Sequence, residues 1–234
     1  MSSCLSNCLQ NSQSQVILWL LEELGIEYNL NLFERETSGP RKSRAPASLK
    51  ETHPLGKSPQ LVTVEGRVIT ERSAISKYLV EKYDTAGNFK LNPNDAQNDA
   101  IREDELISLG GTTLQQIFMI QILFNLMKQA SPFFVKPLIS MMAGMVSKGW
   151  TGGEVDLVMT YIDEHLEGKE YFMGTSNITR VDICWMWWAD LGKMAGNDLG
   201  KYKNFQNWVD RCKARPAWKR SLEKGNGYST TMNL

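Results

Sequence analysis

The sequence predicts an α/β domain followed by an all-α domain, and three observations carry that prediction. Up to residue 83, strand and helix patterns alternate, with a hairpin signal at Glu65-Gly66 between two β-rich runs. From Asp84 to Asp95 the chain reads DTAGNFKLNPND, whose Gly, Pro, Asn and Asp mark a linker. Beyond it apolar residues recur at helical spacing and no convincing strand pattern returns. The division is drawn at residues 1–84, a linker over 85–92, and 93–234. With 234 residues, two domains of this size can each bury a core.

Composition narrows the function classes. Lys plus Arg equals Asp plus Glu at 26 each, so no global field favours nucleic acid or an anionic membrane. Seven Trp and eleven Met suit an aromatic-lined core or pocket. Four scattered cysteines (Cys4, Cys8, Cys184, Cys212) are too few for a disulfide framework. Met1-Ser2-Ser3-Cys4 lacks the basic and apolar regions of a signal peptide, so a reducing, cytoplasmic setting is expected. Leu114 to Met127 is the most apolar run. It reads as a buried helix, too short and too interrupted by Gln and Asn to be an integral membrane segment.

The elements follow in order. Residues 1–10 offer only Cys4, Leu5, Cys8 and Leu9 as apolar candidates. Ser12 followed by Gln15 has a capping-box pattern ahead of Val16 to Leu21, and Gly25 stands where a helix ends with φ > 0. That helix is apolar nearly all round, so it is buried on more than one side. Asn29 to Phe33 alternates as a strand, Glu34 to Arg44 is a loop, and Pro46 to Glu51 is a short helix at most. Pro59 opens the strand Gln60 to Val64, where a missing N–H is tolerated. After the Glu65-Gly66 turn a second strand leads to Thr70, read as the N-cap of a helix that buries Ala74, Ile75, Tyr78, Leu79 and Tyr83. Ala96 to Met127 is one long helix, kinked at Gly110-Gly111. Helices over Phe133–Ser147 and Gly153–Leu166 come next. Thr179 and Asp182 form a capping box, flanked by Ile178 and Ile183 as a hydrophobic staple, and open the aromatic run Val181 to Trp188.

Several of these motifs carry a resemblance. Gly56-Lys57-Ser58-Pro59, followed about a dozen residues later by Thr70-Glu71-Arg72-Ser73-Ala74-Ile75, resembles the glutathione-binding half of the glutathione transferases. NSQSQVILWLLEELGIEY is similar to the first helix of fungal and bacterial members nearest the yeast microsome-associated type. The box and staple at Ile178–Ile183, Phe205 to Trp208 and Arg215 to Trp218 match the helical domain of that family. The resemblance covers roughly residues 11–225. It implies a thioredoxin-like first domain, a cis bond before Pro59, a homodimer joining one subunit's sheet domain to the other's helical domain, and glutathione as co-substrate with no metal. It also implies conjugation of the glutathione thiol to hydrophobic electrophiles, as in detoxification, by a cytoplasmic enzyme, with peripheral contact to endomembranes as a variant. The first ten residues would form an interior strand, and so polar a strand is expected to be frayed, rebuilt, or the product of an altered start.

The chemistry and the resemblance together select site residues. A free thiol with a pKa of about 8.5 is only a few per cent ionised at pH 7. A side-chain donor and the positive end of a helix both lower that value. Asn11, Ser12 and Ser14, at the start of the first helix, are the candidates for the catalytic position, with Ser12 also readable as a simple N-cap. Cys8 is a rival that would form a mixed disulfide, or else pack as a small hydrophobe. By resemblance, Ser58 beside Pro59 pairs its main chain with the cysteinyl part of glutathione, and Lys57 reaches the glycyl end, for which Arg44 and His53 are further candidates. Glu71 and the residue after it hold the γ-glutamyl end. The family has Ser where this chain has Arg72, so the guanidinium either takes the γ-glutamyl carboxylate itself or turns to solvent or Glu71 while its N–H serves. Phe118, Met119, Leu123, Phe124, Met127, Trp185 and Trp188 are read as core or as the wall of an electrophile site. Two alternatives stand beside conjugation: glutathione-dependent disulfide or peroxide reduction, and a non-catalytic binding module with a decayed glutathione site.

Overall fold

The first strand forms, polar as it is. In the computed structural model, which describes residues 4–39, 42–91, 94–95 and 97–229, β1 (Cys4–Leu9) lies inside a four-stranded sheet of order β2-β1-β3-β4. It runs parallel to β2 (Tyr28–Phe33) and antiparallel to β3 (Gln60–Val62), which pairs antiparallel with β4 (Val68–Thr70). The expected fraying is therefore corrected; residues 1–3 of that expectation lie outside the described residues. The reason is hydrogen bonding. The buried Asn7 amide donates to Thr52 Oγ1 and Gln60 Oε1, both at 3.0 Å, and its Oδ1 accepts from Asn31 at 3.2 Å. A buried amide costs little when its oxygen and both N–H groups are paired, as here, although the buried Ser6 hydroxyl beside it has no partner.

Helix α1 (Ser14–Leu24) buries its residues from Ser14 to Glu22 and ends on Gly25 at φ 62°, as the sequence predicts. Its start differs. The N-cap is Gln13 with no side-chain cap, and Gln15 does not complete a capping box, because its amide reaches across to Ser221 Oγ at 2.9 Å. α2 (Leu49–Thr52) is short, as expected. α3 (Arg72–Tyr83) opens two residues after Thr70, which is the last residue of β4 and not its cap; Glu71 makes the turn at φ 68°, ψ 123°. The Glu65-Gly66 turn closes with Gly66 N–H donating to Thr63 O at 2.9 Å.

The rest is helical. Between Tyr83 and Ala100 the described residues form turns, and the boundary drawn between 92 and 93 lies outside them. α4 (Ala100–Ser108) is capped by Asp99, whose carboxylate accepts from Arg102 N–H at 2.9 Å, so the helix starts later than Ala96. It continues through a π-helical segment, Leu109–Leu114, into α5 (Gln115–Ala130). A Cβ on Gly110 would lie 2.2 Å from Trp188 Cε3, which is why glycine and a π-bulge coincide at the predicted kink. α6 (Lys136–Val146) and α7 (Gly152–His165) are likewise joined by a π-helical turn, Ser147–Thr151, instead of a break.

α8 (Arg180–Met194) is the buried axis of this half. Its capping box at Thr179 and Asp182 is present, with the Asp182 carboxylate accepting from Thr179 N–H at 2.7 Å, and the staple residues Ile178 and Ile183 are buried. α9 (Lys203–Ala214) and α10 (Pro216–Lys224) complete the fold, and α1 packs against α3, α8 and α10. Glu22 and Glu23 of α1 pair with Arg220, Lys224 and Arg215, tying the last helix to the first.

The apolar run in α5 is half-buried, not buried. Ile117, Phe118 and Ile122 face the core, while Met119, Leu123 and Met127 are exposed. It lies in a continuous helical stretch, Ala100–Ala130, of 31 residues, long and apolar enough by length and composition alone to cross a bilayer. One side of the stretch is nonetheless pinned to α8 and the residues after it: Asn197 donates to Gln121 at 2.7 Å and Asn125 to Ala195 O at 3.1 Å.

Candidate active site

The β1–α1 turn positions the first part of the site. Asn11 takes φ 47°, a left-handed conformation that Asn tolerates better than most residues. Arg35 holds this turn from below. Its Nε donates to Gln10 O at 3.1 Å, Nη2 to Asn11 O at 2.9 Å and Nη1 to Ser43 O at 2.9 Å. Burial lowers its pKa from the usual arginine value. Ser12 and Ser14 form a closed set: their hydroxyls are 2.6 Å apart, Ser12 Oγ donates to Leu9 O at 2.8 Å, and Leu9 N–H donates to Ser14 Oγ at 3.1 Å. Both hydroxyl protons are thus committed inside the turn. Asn11 differs, because its Oδ1 accepts from the main-chain N–H of Ser229 at 2.7 Å, and its Nδ2 is left as the donor of this turn.

Across a cleft of about 680 Å³, the segment before β3 supplies the facing side. The Ser58–Pro59 peptide is cis, and Ser58 Oγ accepts from Leu9 N–H at 3.2 Å, tying the two sides together. Arg35, Arg44, Lys50 and Lys57 line this cleft with Asn11, Ser12, Gln13 and Ser58, and among the described residues no carboxylate does. Gly56 takes φ 57°, a conformation that favours glycine, and a Cβ there would push on the Lys50 side chain at 2.7 Å from Cγ. Met119 of α5 and Trp187 of α8 close the far end. Four cations facing two main-chain turns and an apolar end can hold an anionic, extended ligand and place an apolar one beside it.

A family profile for the N-terminal domain of glutathione S-transferases matches residues 12–82, and one for their C-terminal domain matches residues 152–216. The chain belongs to the glutathione S-transferase family. It is 28% identical to Glutathione S-transferase 3 of Schizosaccharomyces pombe over 96% of its own length and 88% of that protein. To Glutathione S-transferase 1 of Saccharomyces cerevisiae it is 26% identical, over 75% of this chain and 74% of that one. Among solved structures it resembles a glutathione S-transferase from Actinobacillus pleuropneumoniae, with a TM-score of 0.72, 23% identity and coverage of 96% and 94%. It also resembles a glutathione transferase homolog from Lodderomyces elongisporus described with two glutathione molecules per subunit, with a TM-score of 0.70, 15% identity and coverage of 95% and 99%.

Of the residues that sequence and resemblance select, this transferase brings Asn11, Ser12, Arg44, Lys57 and Ser58 together around the cleft. Ser14 is fully buried beneath it, and Pro59, His53, Glu71 and Arg72 lie outside its lining; the His53 Nδ1 accepts from Leu55 N–H at 3.4 Å. The Arg72 side chain neither lines the cleft nor turns to solvent. Its guanidinium is buried, sits 4.2 Å over the Trp188 ring, and has Cys184, Glu71 and Tyr228 as its polar surroundings. Burial lowers its pKa, and Nε and Nη1 have no hydrogen-bond partner. A guanidinium over an indole face gains a cation–π attraction that solvent cannot offer.

Cys8 is 2% exposed, and burial pushes its thiol above the usual cysteine value against a smaller opposing effect of Ser14, so it reads as packing. Of the proposed apolar wall, Met119 reaches the cleft, while Phe118, Trp185 and Trp188 are core residues. Arg35, Lys50 and Trp187 were not foreseen. Arg35 follows a strand by two residues, and nothing in its sequence context separates it from a solvated charge.

Proposed function

We propose that this chain binds glutathione in the cleft between the β1–α1 turn and the Ser58–Pro59 segment and conjugates its thiol to hydrophobic electrophiles. The observation that carries this reading is the charge of the cleft: Arg35, Arg44, Lys50 and Lys57 line it with no carboxylate among the described residues. Glutathione brings two carboxylates and one ammonium, and gains a further negative charge when its thiol ionises. A cationic cleft favours both binding and ionisation.

In this reading Lys57 and Arg44 take the glycyl carboxylate and the main chain at Ser58 pairs with the cysteinyl unit. Glu71 and the Arg72 N–H, at the start of α3, take the γ-glutamyl end. Asn11 Nδ2 donates to the sulfur, and the positive end of α1 assists. The thiolate then attacks the electrophilic carbon near Met119 and Trp187. A carbon–sulfur bond forms as the leaving group departs with its electron pair or, in an addition, as water protonates the adjacent atom. The buried Cys8 offers no support for a mixed-disulfide route. Four unpaired, buried cysteines fit a reducing cytoplasm, a homodimer completes the reading, and the exposed Phe133–Phe134 tip is where a peripheral contact with endomembranes would fall.

The test is Asn11→Ala beside Ser12→Ala, read by the thiol pKa of bound glutathione and by conjugation of an aromatic electrophile. Loss of a donor to a charged acceptor lowers kcat/KM by about ten- to a hundredfold and raises the thiol pKa. Ser12→Ala is expected to change either much less. The reverse ranking would move the donor to Ser12, and a wild-type protein without measurable glutathione affinity by calorimetry would end the reading.

A further inference from the structure

Beyond α10, and beyond residue 216 where the family profile stops, the described residues stay on the molecule. Residues 225–229 run back over the α/β domain as a strap fastened at three points. Asn226 Nδ2 donates to Phe33 O at the end of β2 at 2.8 Å. Tyr228 donates its hydroxyl to the fully buried Asp190 carboxylate at 2.7 Å and sets its ring edge-on to Trp218, 6.2 Å between centroids. Ser229 N–H donates to Asn11 Oδ1 at 2.7 Å. Asp190 is itself held by Lys213 at 2.8 Å, so the strap's middle anchor is rigid.

The last of these bonds touches the group that the proposed reaction depends on. An Asn side chain presents an acceptor and a donor of nearly equal size, and rotation by 180° exchanges them. Facing a thiolate, the two orientations are opposite in effect: the N–H₂ stabilises the charge, whereas the carbonyl oxygen repels it. A main-chain N–H can face only the oxygen. We propose that the strap, through the Ser229 N–H, is a positioning element of the active site that fixes the Asn11 amide with Nδ2 toward the glutathione sulfur. This inference rests on the assignment of Asn11 as the thiol donor. Asn11 lines the cleft and meets the strap with one side chain, at φ 47°. The C-terminal residues thereby set the acidity of a thiol bound more than two hundred positions earlier in the chain.

The experiment removes the Ser229 N–H, with Ser229→Ala as the control for the lost hydroxyl. Ser229→Pro is made in the wild-type and in the Asn11→Ala background, and each protein is titrated for the thiol pKa of bound glutathione, with its glutathione Kd and kcat/KM. A strap that positions Asn11 predicts a raised thiol pKa and a two- to tenfold fall in kcat/KM, of about the size of one neutral hydrogen bond, with Kd changed far less. In the Asn11→Ala background Ser229→Pro adds nothing. If Ser229→Pro does not fold, a chain ending at Tyr228 removes the same N–H and keeps the Tyr228–Asp190 bond. A thiol pKa unmoved by Ser229→Pro while Asn11→Ala raises it overturns this inference alone, as does an additive effect of the two. An Asn11→Ala protein with an unchanged thiol pKa overturns the Asn11 assignment and this inference with it.

Discussion

A guanidinium that is 6% exposed, lies over an indole and leaves Nε and Nη1 without hydrogen-bond partners is held in place by packing more than by charge. Arg72 sits in the first turn of α3, where the helix dipole already disfavours a cation. Replacing a buried charge by an apolar side chain of similar volume is often neutral or stabilising. Arg72→Met is therefore expected to keep stability within about 1 kcal/mol of wild type or raise it. Arg72→Ser, which empties the space over Trp188, is expected to cost about 1–3 kcal/mol. Both are expected to bind glutathione within about twofold of wild type, since the cleft lining does not include this side chain. Calorimetric affinity and thermal melts check this together. A tenfold loss of affinity in Arg72→Met would return the guanidinium to the γ-glutamyl carboxylate. The sequence marks Arg72 as out of place in a family pattern, but its destination depends on Trp188 of another domain, and no local pattern encodes that.

At the scale of elements, the close approach of α4–α5 to α8 is the joint most sensitive to change. The π-helical segment lets Gly110 meet the Trp188 ring, and Trp188 Nε1 donates to Gln115 Oε1 at 3.1 Å just beyond it. Gly110→Ala places a methyl where the ring stands, so the ring or the helix must move. Overpacking of this kind costs about 2–3 kcal/mol and is expected to lower Tm by about 5–10 °C. An unshifted melt would mean the helices part freely at this joint. Gly111, whose Cβ would make an ordinary 3.5 Å contact with the same ring, is the internal control, and Gly111→Ala is expected to cost far less. The kink was legible because two adjacent glycines in an apolar helix are rare without a packing reason. The helix starts were less so. Thr70 and Ser12 carry good capping residues, yet the strand register and the cross-domain bond from Gln15 to Ser221 decided where α3 and α1 begin.

For the whole molecule, the two-domain architecture was legible because period and composition change together at the linker, and because independent motifs occur in family order. The cleft was legible at the β1–α1 turn and the Ser58–Pro59 segment, where short motifs carry it. It was not legible at Arg35, Lys50 and Trp187, which three-dimensional convergence alone brings in. The same holds for the outer face of the helical half. From Leu106 to Gly153 the sequence contains no Asp or Glu, and the exposed apolar residues of α4 and α7 flank that run. Ile101 is 75% exposed on α4 and Leu157 66% on α7, with Tyr161 beside Arg102 on the same side. Single exposed apolar residues are ordinary, but a series of them along paired helices marks a contact surface. In the expected homodimer this face meets the partner's sheet domain, and the two equivalent contacts would together bury on the order of 1,600 Å² or more, as a stable dimer needs. Light scattering across micromolar concentrations is expected to give twice the 26.5 kDa of one chain. Ile101→Asp combined with Leu157→Asp is expected to shift that mass toward the monomer, because two carboxylates per subunit would then have to leave water at the contact. A wild-type mass that stays at one chain over the whole range would remove the dimer, and a dimer indifferent to both substitutions would move its interface off this face.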